Sequence, residues 1–311
     1  MRRIALALVT ALAVAGCSQA GAAGTSGEPI VGVEAPRKPW QLTLDLDLKS
    51  GYAVTAGVAD GSRQSLSVRS VAFAGTADGV YGGEVTGYDP GAFDAGRLGL
   101  GEPVTLSPGQ DATYVASFVF TARDHSGGGP WQTPAVGWRD ASGLWILVYG
   151  DGTATRDDLI RLAAAVRVTP ARDLRTPFRL GGPLPAGLEL SYVRSPDNRL
   201  DRQAPMAGLG APGRLAADVA VHTGPAPKLE VTVSAQARDA RWAAERAKLG
   251  RAAPIAGRPA WYAAGTLTVE GERCIVRLRS DRRAEEDLTS IARRLTVGDC
   301  TDPESWIPPL A

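Results

Sequence analysis

The sequence predicts an α+β fold of two tandem, duplicated domains, each an antiparallel sheet packed against one or two helices. Three observations support this prediction. Apolar residues alternate with polar ones in several short segments, as they do in half-buried strands. Two distant segments share one amphipathic helical pattern, and two segments upstream of them share the pattern G-x-x-A-x-Y.

The first 16 residues have the features of a bacterial signal peptide. Arg2 and Arg3 supply positive charge, and the apolar run 4–15 is too short to span a bilayer. The run ends in Val14-Ala15-Gly16-Cys17, which resembles the lipobox of bacterial lipoproteins. In that motif the cysteine becomes the lipidated N-terminus, so the resemblance implies lipid attachment at Cys17 and anchoring at the extracytoplasmic face of the cell membrane.

The segment after Cys17 predicts a flexible tether. Residues 18–29 are small, polar and glycine-rich, a composition typical of flexible linkers. The alternative to lipidation is ordinary signal-peptidase cleavage, since residues 13–15 and 20–22 both offer small-x-small sites. The predicted organisation is a signal peptide at 1–16, a lipidated N-terminus and tether at 17–33, a first domain at 34–170, a linker at 171–187 and a second domain at 188–311.

Alternating leucines predict the first strand, and turn signals place the others. Leu42, Leu44, Leu46 and Leu48 fall on one face of an extended chain. Asp78-Gly79 and Glu270-Gly271 are turn dipeptides between apolar runs, so each predicts a hairpin. The other predicted strands are 65–74, 79–88, 114–122 and 144–149 in the first domain, and 217–221, 229–233, 266–269 and 274–278 in the second. One further helix is predicted in the second domain, over 235–249.

The two matched helices lie at 153–168 and 282–297. Both have apolar residues at i, i+3, i+4 and i+7, which predicts one buried stripe each. The stripes are Leu159, Leu162, Ala163 and Val166 in the first helix, and Leu288, Ile291, Ala292 and Leu295 in the second. Acidic residues fill both first turns, where they stabilise the positive end of the helix dipole, and Thr155 with Asp158 predicts a capping box.

The pattern G-x-x-A-x-Y occurs at Gly109 to Tyr114 and again at Gly257 to Tyr262. It precedes the matched helix in both halves, so the matches occur in the same order. This common order predicts a duplication.

The second domain resembles the PsbP-like α/β sandwich, a family that includes lipoproteins of high-GC Gram-positive bacteria. The residues that carry the resemblance are Ile255, Gly257 and Ala260, followed by Leu288, Ile291, Ala292 and Leu295. The resemblance implies a non-enzymatic binding or assembly module. These positions are structural, so no functional residue is transferred, and the tandem arrangement departs from the single domain usual in that family.

Cys274 and Cys300 predict a disulfide, because an exported protein folds in an oxidising compartment. Cys274 is expected to begin a core strand, and Cys300 to follow a short strand at 295–297. The two matched helices are offset by 129 residues, and at the same offset the first domain has Trp145 in place of Cys274 and Ala171 in place of Cys300. The bond is therefore predicted to stabilise the second domain locally.

The chemistry-bearing residues predict neither an enzyme nor a metal or cofactor site. Asp124-His125-Ser126 are adjacent in a glycine-rich loop, and adjacency does not build a catalytic triad. The sequence also lacks the spacing of a calcium loop or a phosphate loop. Net charge is +1 for the whole chain and about −1 without Arg2 and Arg3, which excludes a typical nucleic-acid binder.

Two side-chain groups have alternative interpretations. Trp131, Trp138 and Trp145 are either core residues or a stacking surface for a sugar or a partner protein. Arg277 and Arg279 share a strand face and either meet an anionic lipid or wall polymer, or belong to a solvated surface of mixed charge, since acidic residues interleave with them.

The prediction for function is a membrane-anchored envelope lipoprotein with a non-enzymatic binding or scaffolding role. Its partners would be the membrane, through the N-terminal lipid, and an unidentified protein, glycan or lipid. The first alternative is a lipid or glycolipid carrier, which requires an apolar cavity between sheet and helix. A minor alternative is an envelope hydrolase that depends on His125.

Overall fold

The computed structural model describes most of the chain from Arg37 onward, and these residues belong to one compact unit. The described residues are 37–47, 49–70, 81–106, 109–120, 131–150, 154–184, 186, 188–196, 206–210, 229–235, 240–280 and 285–310. The predicted signal peptide, Cys17, the tether, both histidines and the predicted strand 217–221 lie outside them.

The first half contains nine strands and one α-helix within the described residues. Their bounds are β1 (Gln41–Leu46), β2 (Tyr52–Asp60), β3 (Arg63–Ser70), β4 (Tyr81–Tyr88), β5 (Glu102–Leu106), β6 (Gln110–Phe120), β7 (Trp131–Arg139), β8 (Trp145–Tyr149), α1 (Arg156–Ala165) and β9 (Val166–Asp173), with a 3-10 turn at Ala95–Leu98.

The described part of the second half contains nine more strands and two α-helices. Their bounds are β10 (Phe178–Leu180), β11 (Glu189–Pro196), β12 (Met206–Gly210), β13 (Leu229–Ala235), α2 (Ala240–Arg246), β14 (Gly250–Ile255), β15 (Arg258–Ala263), β16 (Thr266–Glu270), β17 (Cys274–Arg279), α3 (Glu285–Ala292) and β18 (Leu295–Val297), with a 3-10 turn at Pro303–Ser305.

One sheet of 14 strands runs through both halves, and every pairing in it is antiparallel. From the centre outward the first half has the order β2-β3-β4-β8-β7-β6-β5, and the second half has β11-β12-β13-β17-β16-β15-β14. In each half a helix, α1 or α3, follows the fourth strand of this order. The next strand, β9 or β18, then pairs outside the main sheet with β1 or β10. The two halves therefore share one strand order.

The halves join where β2 pairs with β11. The pairing runs from Asp60 opposite Tyr192 to Ala56 opposite Pro196, with Val58 opposite Arg194 in the middle. β2 and β11 are each the first strand in the order of their half. Strands that lie the same number of positions from the join, one in each half, are therefore topologically equivalent.

The main core lies on one face of the sheet, beneath β1, β9, α1 and α3. β1 has the predicted alternation, since Leu42, Leu44 and Leu46 are buried and the residues between them are half-buried. In α1, Leu159, Leu162 and Ala163 are buried against the sheet, and in α3 Leu288, Ile291 and Ala292 are buried likewise. The predicted stripes are thus confirmed at these six positions.

The N-terminus of α1 has the predicted capping box. The Thr155 side chain accepts a hydrogen bond from the Asp158 backbone N–H, and the Asp158 side chain accepts one from the Thr155 N–H. These bonds satisfy two donors that a helix start otherwise leaves without partners.

The two G-x-x-A-x-Y segments occupy equivalent places. Each begins at the turn between the two outermost strands of its half, and both glycines have positive φ, 81° at Gly109 and 76° at Gly257. In β5–β6, Glu102 pairs with Tyr114, and in β14–β15, Gly250 pairs with Tyr262. The turns need a left-handed residue, which glycine adopts without a Cβ clash.

The segment predicted as a linker contains regular structure. β9 extends to Asp173, β10 lies at Phe178–Leu180, and Thr176 is fully buried. The C-terminal segment returns to this region, since Thr176 bridges Ile307 and Leu180 bridges Leu310. The boundaries of the two predicted domains stay predictions.

The fold is mostly β, so the predicted α+β class holds only loosely. The described helices have ten, seven and eight residues, while the strands dominate every layer. Within the described residues the helix expected over 235–249 covers Ala240–Arg246, since Ala235 belongs to β13 opposite Cys274 and β14 begins at Gly250.

Both edges of the main sheet carry a proline. Pro103 lies in edge strand β5 and Pro254 in edge strand β14. Proline has no backbone N–H to donate, and it is one of the devices that protect an edge from pairing with another chain.

Candidate functional site

The candidate site lies on the second face of the sheet, opposite the main core. Two clusters cover the outer parts of this face. The aromatic cluster of the first half consists mainly of Tyr88, Phe93, Phe118, Phe120, Tyr149 and the half-buried Trp145. The tryptophan cluster of the second half consists of Trp242, Trp261, Ile275 and Leu249.

Between these clusters the second face is polar. We call this strip the central polar row; its residues lie opposite one another on successive strands. The row begins at Tyr88, which also belongs to the aromatic cluster, and continues through Arg63, Asp60, Tyr192, Gly208, Glu230 and Arg279. It crosses seven strands, so it is about 29 Å long at the usual strand spacing.

The first-half part of the row is closed to solvent. Asp60 and Arg63 form an ion pair of 3.4 Å across the β2–β3 turn, with side chains 2% and 11% exposed. Asp60 Oδ1 also accepts hydrogen bonds from the backbone N–H groups of Ser62 and Arg63. Asp60 therefore closes the turn through these contacts, which favours a structural role for Asp60.

Glu84 lies on β4 beside the row, and its carboxylate is perturbed by burial. Burial raises its pKa above the usual value, while hydrogen bonds from Tyr149 and Ser65 and the charges of Arg63 and Arg194 partly offset this effect. The pKa of Tyr149 is raised well above the usual range, by burial and then by the charge of Glu84. Glu84 therefore takes up a proton more readily than a solvated glutamate does.

The second-half part of the row is more open. Tyr192 and Glu230 are half-buried, and Arg279 is exposed. The Tyr192 hydroxyl donates to Glu230 Oε2 at 3.1 Å, although β12 lies between their strands. The residue of β12 that faces both is Gly208; because glycine has no side chain, the tyrosine ring can pass over it.

Arg194 links the two halves on this face. It lies on β11 at the middle of the join, opposite Val58, and its charge acts on Glu84 of the first half and on Tyr192 of the second. Burial, and then the charge of Glu230, raises the pKa of Tyr192 well above its usual range. The Tyr192 hydroxyl is thus a stable hydrogen-bond donor at neutral pH.

The charges of the site balance. Arg63, Arg194 and Arg279 match Asp60, Glu84 and Glu230 in number. The open part offers carboxylate acceptors beside hydroxyl and guanidinium donors without a net charge. This arrangement suits hydrogen bonding to a polar group better than capture of a strongly charged one.

The predicted disulfide is present. Cys274 and Cys300 are bonded, with Cα atoms 5.9 Å apart. As expected, Cys274 begins β17 and is buried, and Cys300 follows β18. Among the described residues Asp299 is the carboxylate close to both sulfurs, but bonded sulfurs are not thiolates, so the group is not a metal site.

The predicted equivalence of Cys274 with Trp145 is wrong by one residue. Trp145 belongs to the second face, whereas Cys274 belongs to the main core. The offset of 129 holds for the buried positions of α1 and α3 but not for the strands before them. Because neighbouring residues of a strand point to opposite faces, a slip of one residue exchanges the faces.

Trp138 and Trp145 do not form one stacking surface. Trp138 is 5% exposed and lies in the main core, whereas Trp145 packs on the second face with its ring 5.4 Å from that of Phe93. Trp131 begins β7; its side chain is outside the described set.

The basic residues of β17 are interleaved with acidic partners. Arg277 pairs with Glu245 at 3.1 Å, and nearby Arg273 pairs with Asp299 at 2.8 Å. Arg277 and Arg279 both lie on the second face, where Arg279 is opposite Glu230. The pairs favour the mixed-charge interpretation over an anion-binding patch.

The central polar row was not predicted, but the sequence contains a signal for it. The tripeptide Glu-Val-Thr occurs at 84–86 and at 230–232. Thr86 lies two strands from Val58, with Ser65 opposite both on the strand between them. Thr232 likewise lies two strands from Arg194. The two tripeptides therefore occupy equivalent places.

Comparisons with family models, curated proteins and solved structures found no match. Among the described residues, no helix combines the length and apolar character needed to cross a membrane.

Proposed function

We propose that the chain is a lipid-anchored protein of the extracytoplasmic membrane face that binds a polar partner through the open part of the central polar row. The observation that carries the proposal is the group formed by Tyr192, Glu230 and Arg279. It is pre-ordered by the hydrogen bond over Gly208, half-buried at Tyr192 and Glu230 and exposed at Arg279, and balanced in charge. Pre-ordered polar groups bind without a large entropic cost.

The same proposal includes a duplicated unit related to the PsbP-like sandwich. Its support is the shared strand order, the paired glycine turns and the repeated Glu-Val-Thr tripeptide. Such modules bind or assemble rather than catalyse, so the resemblance favours a binding or scaffolding role.

Dense packing beneath β1 favours this role over a lipid carrier. A Cβ added at Gly57 would lie 2.7 Å from a Leu42 methyl and 2.8 Å from a Leu174 methyl, and one at Gly87 would lie 2.9 Å from a Leu44 methyl. The layer over the sheet is closed at these points, whereas a carrier needs an apolar cavity there or under the helices.

Native mass spectrometry of the full-length protein extracted from its own membrane tests the proposal. We expect a co-purifying mass that is lost in Glu230→Ala and retained in the control Glu304→Ala, since Glu304 is exposed in the C-terminal 3-10 turn. Loss in both variants, or no co-purifying mass in the wild type, would contradict the proposal. Turnover of an envelope substrate that His125→Ala abolishes would favour the hydrolase.

A further inference from the structure

Arg37 fixes the point at which the chain enters the folded body. Its side chain is 5% exposed. The guanidinium donates from Nε to Asp89 Oδ1 at 3.0 Å, and from Nη1 to the backbone oxygens of Asp60 at 2.8 Å and Gln41 at 3.3 Å. A buried arginine with these bonds cannot move independently of the sheet, so the described chain is fixed to the sheet from Arg37 onward.

This entry point lies near the middle of the sheet's width. Asp60 ends β2, the strand at the join, and Asp89 follows β4, two strands away. The 14 strands span about 62 Å at the usual spacing. Because the tether is attached near the centre, the two edges of the sheet are about equally far from the anchor.

The residues next to the entry point suit a lipid surface. Lys38 is exposed, and its Nζ lies 5.4 Å from the centre of the half-buried Trp40 ring. Lysine and tryptophan have apolar bodies and polar tips, and both are favoured at membrane interfaces. At the other end of β1 the corresponding exposed lysine is Lys49.

We propose that β1 and the central strands β2 to β4 are directed at the bilayer, and that their end carrying Arg37, Lys38 and Trp40 faces the lipid headgroups. This inference rests on the proposed lipid anchor at Cys17. The 20 residues from Cys17 to Pro36 have a root-mean-square reach of about 25 Å if flexible. A nine-residue strand such as β2 is about 30 Å long, so the anchor favours the near end.

Energy transfer to labelled vesicles tests this orientation. Full-length lipidated Lys38→Cys and Lys49→Cys would each carry the same donor dye, in vesicles of phosphatidylcholine and phosphatidylglycerol with a rhodamine lipid. The two variants are matched, since both replace an exposed lysine beyond an end of β1. Cys274 and Cys300 are bonded to each other, and Cys17 would carry the lipid, so the dye attaches at the introduced thiol.

The expected result is roughly twofold higher energy transfer from a dye at position 38 than from one at position 49. The ratio is moderate because a tether allows a range of distances between the folded body and the bilayer. Equal transfer would mean that the strands lie flat on the bilayer, and higher transfer from position 49 would mean an inverted body; both overturn the orientation. Vesicle flotation separates the two proposals. A protein that does not float overturns the lipid anchor and the orientation together, whereas a floating protein with the wrong ranking overturns only the orientation.

Discussion

Val58 and Arg194 face each other at the middle of the strand pair that joins the two halves. The strand order is the same on both sides of this pair, but the two residues differ in charge, since Arg194 is cationic and Val58 is apolar. The charge of the arginine lowers the pKa of Glu84 in one half and of Tyr192 in the other. The join is thus part of the polar site as well as a backbone connection.

Tyr192→Phe should lower the free energy of unfolding by about 1 kcal/mol, because it removes the hydrogen bond to Glu230 and leaves that carboxylate with fewer partners. Urea denaturation measures the change. The matched control is Tyr262→Phe, at a half-buried tyrosine whose hydroxyl makes no hydrogen bond among the described residues. Equal losses in the two variants would assign the effect to the ring environment.

Glu84→Gln should change how stability depends on pH. The folded-state pKa of Glu84 is above its usual value of 4.5, so the stabilising effect of protonation is complete below pH 4.5 and is lost as pH rises through the folded-state pKa. The melting temperature of the wild type relative to Glu84→Gln should therefore fall as pH rises above 4.5. Arg63, Arg194, Tyr149 and Ser65 are the groups that face this carboxylate.

The pH series needs a glutamate without this environment as a control. Glu304→Gln is suitable, since Glu304 is exposed. A constant difference between wild type and Glu84→Gln over the pH range would show that Glu84 has the same proton affinity in the folded and unfolded chain.

Gly57→Ala should destabilise the fold by about 1–3 kcal/mol, because the new methyl group would overlap Leu42 and Leu174. Gly61→Ala, four residues along the chain, has no neighbour within 4 Å of the added Cβ. Its effect should stay within about 0.5 kcal/mol. Chemical denaturation of both variants measures the contrast, and similar values for the two would indicate that β1 moves away without cost.

Replacing both Cys274 and Cys300 by Ser should cost about 3 kcal/mol, since the bond closes a loop with a sequence separation of 26. Hydrogen exchange should quicken in β17, β18 and β10, because the segment after Cys300 bridges Thr176 and Leu180. Exchange in the β1–β9 pair should change little. Uniform acceleration through both halves would show that the bond stabilises the whole fold rather than one part of it.

Cys17→Ser should release the protein from the membrane or leave it unprocessed, because stable anchoring needs two acyl chains. Fractionation and mass spectrometry of the mature N-terminus measure both outcomes. A wild-type N-terminus at Ala23 without a lipid mass would contradict lipidation.

The elements that could be predicted are those with a local periodic signal. β1 and the buried stripes of α1 and α3 repeat their apolar residues at fixed spacing. β10 could not be predicted, because Phe178–Leu180 has three residues among prolines and glycines and pairs with β18, more than a hundred residues later. Strands this short depend on tertiary pairing rather than on their own propensity.

The polar site was missed for a related reason. Tyr192 and Glu230 are far apart in the sequence, and their contact depends on a glycine in a third strand. The repeated Glu-Val-Thr tripeptide would have placed Glu84 and Glu230 in equivalent strands. For the tryptophans the sequence left a core and a stacking surface as alternatives, because nearness in sequence does not show that the pairing of β7 with β8 places Trp138 and Trp145 on opposite faces.

The prolines at the two ends of the sheet acquire a further importance on a membrane surface. Lipid anchors would confine many copies to one plane, so the edge strands of neighbouring copies would collide often. Bare strands at β5 and β14 could then join copy to copy into a ribbon that immobilises them all. Pro103 and Pro254 interrupt such a ribbon at both rims, which leaves each copy free to diffuse.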